Sequence, residues 1–322
     1  MLPKEIMRRV REIQVRTGRQ VADVLAGEYV SVFKGSGIEF DEVRAYTPGD
    51  DIRSIDWNVT ARMGEPFVKR YVEERQLTLM LMADVSASQD FGSVGRSKRE
   101  CAAEFCALLA FSATRNDDKV GLLLFHSDIE QYIPPRKGQK HALRVVREVL
   151  AHGEDTSILG ETPPPAPPGF WSRLLGRRRR LRAARQGTQI SRALEFLLSV
   201  NKRRSVCFVV SDFIDEDYEH ALRSANRKHD VIAVLVTDPR ELEMTSVGLI
   251  TLQDVETGQT RVVDAGSAAF RAAVRQRSND RVEGIRRRLA SSGIDLIHID
   301  SAGSVVDPLV GFFRARERRT RR

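Results

Sequence analysis

The clearest hydrophobic pattern in the chain is residues 77–88, L-T-L-M-L-M-A-D-V-S-A-S, an apolar run that breaks off at Asp84, Ser86 and Ser88. A run this short and this apolar predicts a strand buried on both faces, with a carboxylate and two hydroxyls at its C-terminal tip. Strand and helix periods then alternate. Ser97-Lys98-Arg99-Glu100 has capping-box spacing, and Cys101, Phe105, Leu108, Leu109 and Ser112 follow with helical period. Residues 120–125 predict the next strand, 129–135 a polar hairpin arm, and 140–151 a second helix. Thr188-Gln189-Ile190-Ser191 opens a third helix through Leu194, Leu197 and Leu198. Strands at 205–210 and 231–236 flank a helix around 218–226. A hairpin is expected at 249–254 and 260–264 across Glu256-Thr257-Gly258, then a long arginine-rich helix at 267–290, a strand at 294–299 and a helix at 306–313. This alternation predicts an α/β, doubly wound, mainly parallel sheet with helices on both faces.

The first 75 residues read differently. An amphipathic helix is expected over 3–17, ended by Gly18. Gly35 to Asp51 carries turn signals at both ends and alternation between them, and a further strand is expected over 66–72. Elements this short do not make a core of their own, so a small N-terminal β lobe packed on the main domain is expected. The organisation that follows is a lobe and helix over 1–75, a main domain over 76–314 with a Pro/Arg-rich insertion at 154–187, and a basic tail over 315–322.

Composition narrows the class. The 41% hydrophobic and 30% charged content is ordinary for a water-soluble globular protein. No apolar run approaches a bilayer-spanning length and the N-terminus lacks an apolar signal core, so a cytoplasmic location is expected. Cys101, Cys106 and Cys207 lack metal spacing and read as reduced core residues. The net charge is +8, but residues 171–185 hold seven arginines and no acid, and 314–322 hold six arginines and one glutamate. Those two runs carry the basicity and the remaining body is mildly acidic, which argues against specific nucleic-acid binding. Aromatic and leucine residues beside the arginines at 170–185, together with the C-terminal run, are compatible with peripheral contact with an anionic membrane, or with a solvated insertion of no specific role.

Asp-x-Ser-x-Ser offers only hard oxygen donors, which suit Mg²⁺, with Mn²⁺ or Ca²⁺ as alternatives, and do not suit zinc. The competing reading is a cap for the next helix. Thr188 precedes a helix and Asp212 ends a strand. With Asp84, Ser86 and Ser88 they give two carboxylates and three hydroxyls on one edge of a parallel sheet, enough for one octahedral cation. Enzymatic signatures are sparse. There is no phosphate-binding Gly-x-x-x-x-Gly-Lys loop, no Gly-x-Ser-x-Gly elbow, and the six histidines are scattered. Asp84-Val85-Ser86 has serine where an aspartyl-phosphate enzyme needs a second aspartate. A metal-dependent phosphoesterase remains the enzymatic alternative. Arg44, Asp50, Asp51, Arg53, Asp56 and Trp57 form a second cluster, read as an ion-pair and aromatic network tying lobe to main domain, or as a surface for a partner.

Taken in order, D-V-S-A-S, G-T-Q-I before a helix and V-V-S-D at a strand end resemble the metal-ion-dependent adhesion site of von Willebrand A domains. The motifs G-S-G-I-E-F-D-E-V-R-A-Y-T-P-G-D-D-I-R-S-I-D-W, Y-V-E-E-R, Y-I-P-P-R-K-G, K-R-R-S-V-C-F-V-V-S-D-F and H-D-V-I-A-V-L-V-T-D-P-R resemble bacterial domain-of-unknown-function family number 58 over residues 20–314. The resemblance implies a von Willebrand A-like domain that works beside a MoxR-type AAA+ ATPase in chaperone-like assembly of a client protein, and the sparse enzymatic signatures lead us to expect a non-enzymatic adaptor. It implies metal roles for Asp84, Ser86, Ser88, Thr188 and Asp212, with an open metal position for a partner's acidic side chain. The insertion before Thr188 is long for the family, which leaves Thr156 as a rival for the threonine ligand.

Overall fold

In the computed structural model the described residues are 8, 10–13, 37–74, 76–151, 189–215, 217–253 and 260–320. The insertion at 154–187, both candidate threonines Thr156 and Thr188, most of the expected helix at 3–17 and the Glu256-Thr257-Gly258 turn lie outside them. Residues 8 and 10–13 are helical, and Val10 is buried in the main core.

The N-terminal lobe is an antiparallel hairpin of β1 (Gly37–Ala45) and β2 (Phe67–Glu74), with a register shift between Phe40 and Glu42. Between the strands lies α1 (Trp57–Met63), capped by Asp56, whose side chain accepts from the Asn58 and Val59 amides, and closed by Gly64 with φ 77°. The sequence reading had no helix here. Its cap and its terminal glycine are both in the sequence, but a seven-residue helix with no buried residue leaves no apolar stripe to find.

The main sheet has six strands in the order β10-β7-β6-β3-β4-β5. In chain order they are β3 (Thr78–Asp84), β4 (Lys119–Phe125), β5 (Ile129–Arg136), β6 (Val206–Ser211), β7 (Asp230–Thr237) and β10 (Asp295–Asp300). All neighbours are parallel except β5, which runs antiparallel to β4 at one edge and carries Pro134 and Pro135. A separate two-stranded hairpin, β8 (Leu249–Gln253) with β9 (Thr260–Asp264), falls where alternation predicts it. The helices are α2 (Lys98–Arg115), α3 (Gln139–Ala151), α4 (Ile190–Val200), α5 (Glu219–Lys228), the short α6 (Pro239–Leu242), α7 (Ala268–Ser291) and α8 (Val306–Thr320).

Period two in β3 splits its side chains between two cores. Leu79, Leu81 and Ala83 join α2, α3 and α8 on one face, while Met80 and Met82 join α4, α5 and α7 on the other. The chain is therefore α/β and doubly wound, with helices on both faces, the architecture of a von Willebrand A-like domain. Because β4 lies on one side of β3 and β6 on the other, the strand order reverses at the C-terminal end of β3, where such sheets open a crevice. The three cysteines are free and buried, as expected.

The expected basic tail is corrected. Residues 315–320 continue α8, because Ala-Arg-Glu-Arg-Arg contains no helix breaker and two of its arginines are held by acids on the sheet. Arg316 meets Asp230 at 2.5 Å and Arg319 meets Asp295 at 2.8 Å, so part of the C-terminal charge has intramolecular partners.

One buried group gives the fold a pH response. His229 is 1% exposed, its Nδ1 lies 3.0 Å from Ser205 Oγ, and burial, with Lys228 nearby, lowers its pKa to about 4. The unfolded chain binds that proton near pH 6.5 and the folded chain does not, so this group's contribution is present above about pH 6.5 and lost as pH falls towards about 4. His229→Asn should lack this loss: the gap in urea midpoint between wild type and variant narrows between pH 7 and pH 5.

Candidate metal centre

Asp84 is the last residue of β3 and is 2% exposed. Its Oδ1 accepts from the Ser86 amide at 2.9 Å and its Oδ2 from Ser211 Oγ at 2.7 Å. The chain then turns through a short 3-10 segment at Ala87–Asp90, which brings Ser86 Oγ to 3.1 Å from Ser88 Oγ. Gly92 lets the loop double back on itself, since a Cβ there would lie 2.5 Å from the Arg96 carbonyl oxygen.

Asp212 follows β6 directly and is fully buried. Its Oδ2 accepts from Ser88 Oγ at 2.8 Å and from Lys98 Nζ at 2.9 Å. Its backbone carbonyl accepts from Arg281 Nη1 on α7 at 3.2 Å. The next residue, Phe213, has φ 51°, a left-handed conformation that is costly for a bulky side chain, and its amide donates to Ser211 Oγ at 3.1 Å. Asp212 Oδ1 is buried and has no hydrogen-bond partner among the described residues.

The C-terminal edge of the sheet thus brings Asp84, Ser86, Ser88 and Asp212 together, with Ser88 and Asp212 124 positions apart in the sequence. Thr188 lies outside the described residues. Its neighbour Gln189 occupies the N-cap position of α4 without a side-chain capping bond, and the Gln189 amide donates to the His126 carbonyl just past β4, while the Ile190 amide donates to Asp215 Oδ2 in the loop after β6. Ser211, Lys98, Glu241 and Arg281 belong to the same constellation and escaped the sequence reading. Ser211 is visible beside Asp212 in V-V-S-D. Lys98 stands inside the Ser97–Glu100 capping box, with nothing in the neighbouring sequence to mark it as buried.

Lys98 is fully buried, with Nζ 2.9 Å from Asp212 Oδ2 and 2.6 Å from Glu241 Oε1 on α6. Burial would lower its pKa, but the Asp212 and Glu241 carboxylates outweigh that and leave it raised. Asp84 is the opposite case. Burial first, and the Asp212 charge second, push its carboxyl up to about 7 against the Ser211 and Ser86 hydrogen bonds. Without a cation the fold then loses stability as pH rises from about 4 to about 7, a trend that a divalent ion beside Asp84 would reverse.

A neighbouring carboxylate has a structural job. Asp238, fully buried after β7, accepts from the Ser93 amide (2.9 Å), Ser93 Oγ (2.5 Å), the Arg240 amide (2.8 Å) and Ser301 Oγ (3.0 Å). It ties the loop after β3 to the ends of β7 and β10. Burial would raise its pKa, but the Ser93, Arg240 and Ser301 donors hold it below the usual carboxylate range.

The lobe cluster has contacts of its own. Arg44 grips Asp50 through two hydrogen bonds of 2.8 and 2.7 Å, and Thr47 donates to Asp50 from its amide and its hydroxyl. These bonds hold Asp50 well below the usual carboxylate range. Asp51 accepts from the Arg53 amide, and Asp56, besides capping α1, pairs with Lys69 at 3.3 Å. These contacts are internal to the lobe, and Trp57 is 66% exposed, so it does not serve as the aromatic tie to the main domain.

A family model described as "Protein of unknown function DUF58" matches residues 42–283. An uncharacterized protein of Mycobacterium tuberculosis is 28% identical over 310 residues, covering 96% of this chain and 89% of its own. Among solved structures, the conserved hypothetical protein BatB from Bacteroides thetaiotaomicron is 16% identical, with a TM-score of 0.45 over 75% of this chain and 99% of its own. The mussel byssus proximal thread matrix protein 1, solved with a zinc-occupied MIDAS motif, is 12% identical, with a TM-score of 0.32 over 50% of this chain and 38% of its own.

Proposed function

We propose that this chain, which belongs to the DUF58 family, is a divalent-cation-dependent protein-interaction domain. The observation that carries the reading is the cluster of Asp84, Ser86, Ser88 and Asp212 at the C-terminal edge of the sheet, in which Asp212 Oδ2 takes Ser88 Oγ while its buried Oδ1 has no hydrogen-bond partner among the described residues. An unpaired buried carboxylate oxygen is costly, and a cation is one ligand that offsets the cost.

The donor set fits a hard divalent ion. With Asp84 ionised, the carboxylates of Asp84, Asp212 and Glu241 outnumber the cationic groups of Lys98 and Arg281, which leaves net negative charge for a cation to offset. Asp84, Asp212, Ser86 and Ser88 would hold it, with Thr188 proposed as a further ligand. When bound, the ion would supply an open coordination position for a carboxylate of another protein. Lys98 and Ser88 orient Asp212, Ser211 and the Ser86 amide orient Asp84, and the Phe213 turn fixes where β6 ends. On the family resemblance, the partner we propose is a MoxR-type AAA+ ATPase and the context is chaperone-like assembly.

Saturating Mg²⁺, at about 100 times its dissociation constant, should raise the melting temperature by about 5 °C, and EDTA should reverse the shift. Absence of both a thermal shift and a calorimetric signal at millimolar Mg²⁺, Mn²⁺ and Ca²⁺ would remove the metal reading. Capture of the ATPase that survives EDTA would remove the metal bridge while leaving the site. Phosphoester turnover that disappears in Asp84→Asn would make the site catalytic instead.

A further inference from the structure

Asp212 presents two very different oxygens. Oδ2 accepts from Ser88 Oγ at 2.8 Å and from Lys98 Nζ at 2.9 Å, whereas Oδ1 has no partner among the described residues. Lys98 cannot easily swing away. It is the first residue of α2, fixed by a capping box between Ser97 and Glu100, it has no solvent exposure, and Glu241 Oε1 holds its amine from the other side at 2.6 Å. Glu241 is itself fixed by the Asp238–Glu241 capping box of α6. Asp84 is engaged in a similar way, one oxygen taking the Ser86 amide and the other Ser211 Oγ.

Carboxylate denticity separates the two commonest divalent ions. Ca²⁺ takes 6–8 oxygens in flexible geometry and often draws a carboxylate in through both oxygens, whereas Mg²⁺ demands six at short, near-octahedral positions and takes carboxylates singly. We propose that Lys98 is the specificity-determining residue of this site: by joining Ser88 Oγ on Asp212 Oδ2 it takes that oxygen's second lone pair, restricts Asp212 to one oxygen and so sets the site for Mg²⁺-sized ions over Ca²⁺. Lys98 touches no metal in this scheme and acts through Asp212, so it is a positioning residue. The inference rests on the cation site proposed above and assigns the origin of its selectivity.

The test is the ratio of Ca²⁺ to Mg²⁺ dissociation constants, measured by calorimetry on the full chain and on Lys98→Met. Loss of a positive charge strengthens the pull on either ion, and the ratio cancels that common gain. Wild type should prefer Mg²⁺ by on the order of tenfold, and Lys98→Met should bring the ratio within about threefold of unity by leaving Ser88 Oγ as the one described donor on Oδ2 and opening its second lone pair to Ca²⁺. Removing one member of a buried pair strands the other, so Lys98→Met/Glu241→Gln provides a variant without the stranded charge, and the same collapse is expected there. Glu241→Gln alone leaves Lys98 on Asp212 and should keep the wild-type ratio. A wild-type preference for Ca²⁺, or a Mg²⁺ preference that persists in both Lys98 variants, overturns the assignment while leaving the site standing. A wild type that binds neither ion overturns the site as well.

Discussion

Asp84→Asn will abolish measurable Mg²⁺ binding and at the same time make the cation-free protein harder to unfold at pH 8. The two effects share one cause. In the crevice Asp84 is 2% exposed and sits beside the Asp212 charge, which together push its carboxyl up to about 7, so at pH 8 the folded state without a cation carries a poorly solvated anion. Asparagine keeps an oxygen for the Ser86 amide or for Ser211 and removes that anion. The urea midpoint in EDTA should therefore rise in the variant, and Mg²⁺ affinity should fall by about 100-fold or more with the loss of a charged ligand. A merely structural carboxylate behaves in the reverse way, losing stability when its charge is removed. Titration calorimetry and urea melts at pH 8, with and without EDTA, separate the two outcomes.

Asp238→Ala should show that reverse behaviour. Four donors converge on this carboxylate, and alanine leaves the Ser93 amide and hydroxyl, the Arg240 amide and Ser301 Oγ without their acceptor. Stranded buried donors cost about 1–3 kcal/mol each when they find no replacement, and partial relaxation brings the expected loss to about 3 kcal/mol. The urea midpoint should drop with little change in slope. Mg²⁺ affinity should fall only modestly, because Ser86 and Ser88 lie at the other end of the loop that Ser93 anchors. A loss of binding as complete as that of Asp84→Asn would mean that Asp238 belongs to the metal site itself.

The parts of this arrangement that rest on local sequence were the legible ones. The apolar run into Asp84, the capping box at Ser97 and V-V-S-D before Phe213 each carry their signal within a few residues, and the chain folds there as the pattern predicts. Lys98 was legible as a helix-start residue and illegible as a buried one. Its partners Asp212 and Glu241 lie 114 and 143 positions away, and only the completed sheet brings them within reach. Asp238 lies inside the H-D-V-I-A-V-L-V-T-D-P-R motif, yet the serines that define its role, Ser93 and Ser301, come from loops after two other strands. The C-terminal helix was underestimated for the same reason. Arginine repetition reads as a solvated tail until Asp230 and Asp295, at the starts of two strands, are seen to hold it.

The antiparallel edge strand β5 bears on how other molecules can attach. A strand at the margin of a sheet normally offers a row of amides and carbonyls to any passing strand, the first step in fibril growth and in strand exchange between copies. Pro134 and Pro135 remove two consecutive amides from β5, and because successive amides alternate in direction one of them is lost from the open edge, which leaves a gap in any ladder formed there. That margin resists templated aggregation, and recognition by strand addition is disfavoured along it. A partner approaching that margin is left to engage side chains and loops, and the loops after β3 and β6 are the ones that carry Ser88 and Asp212.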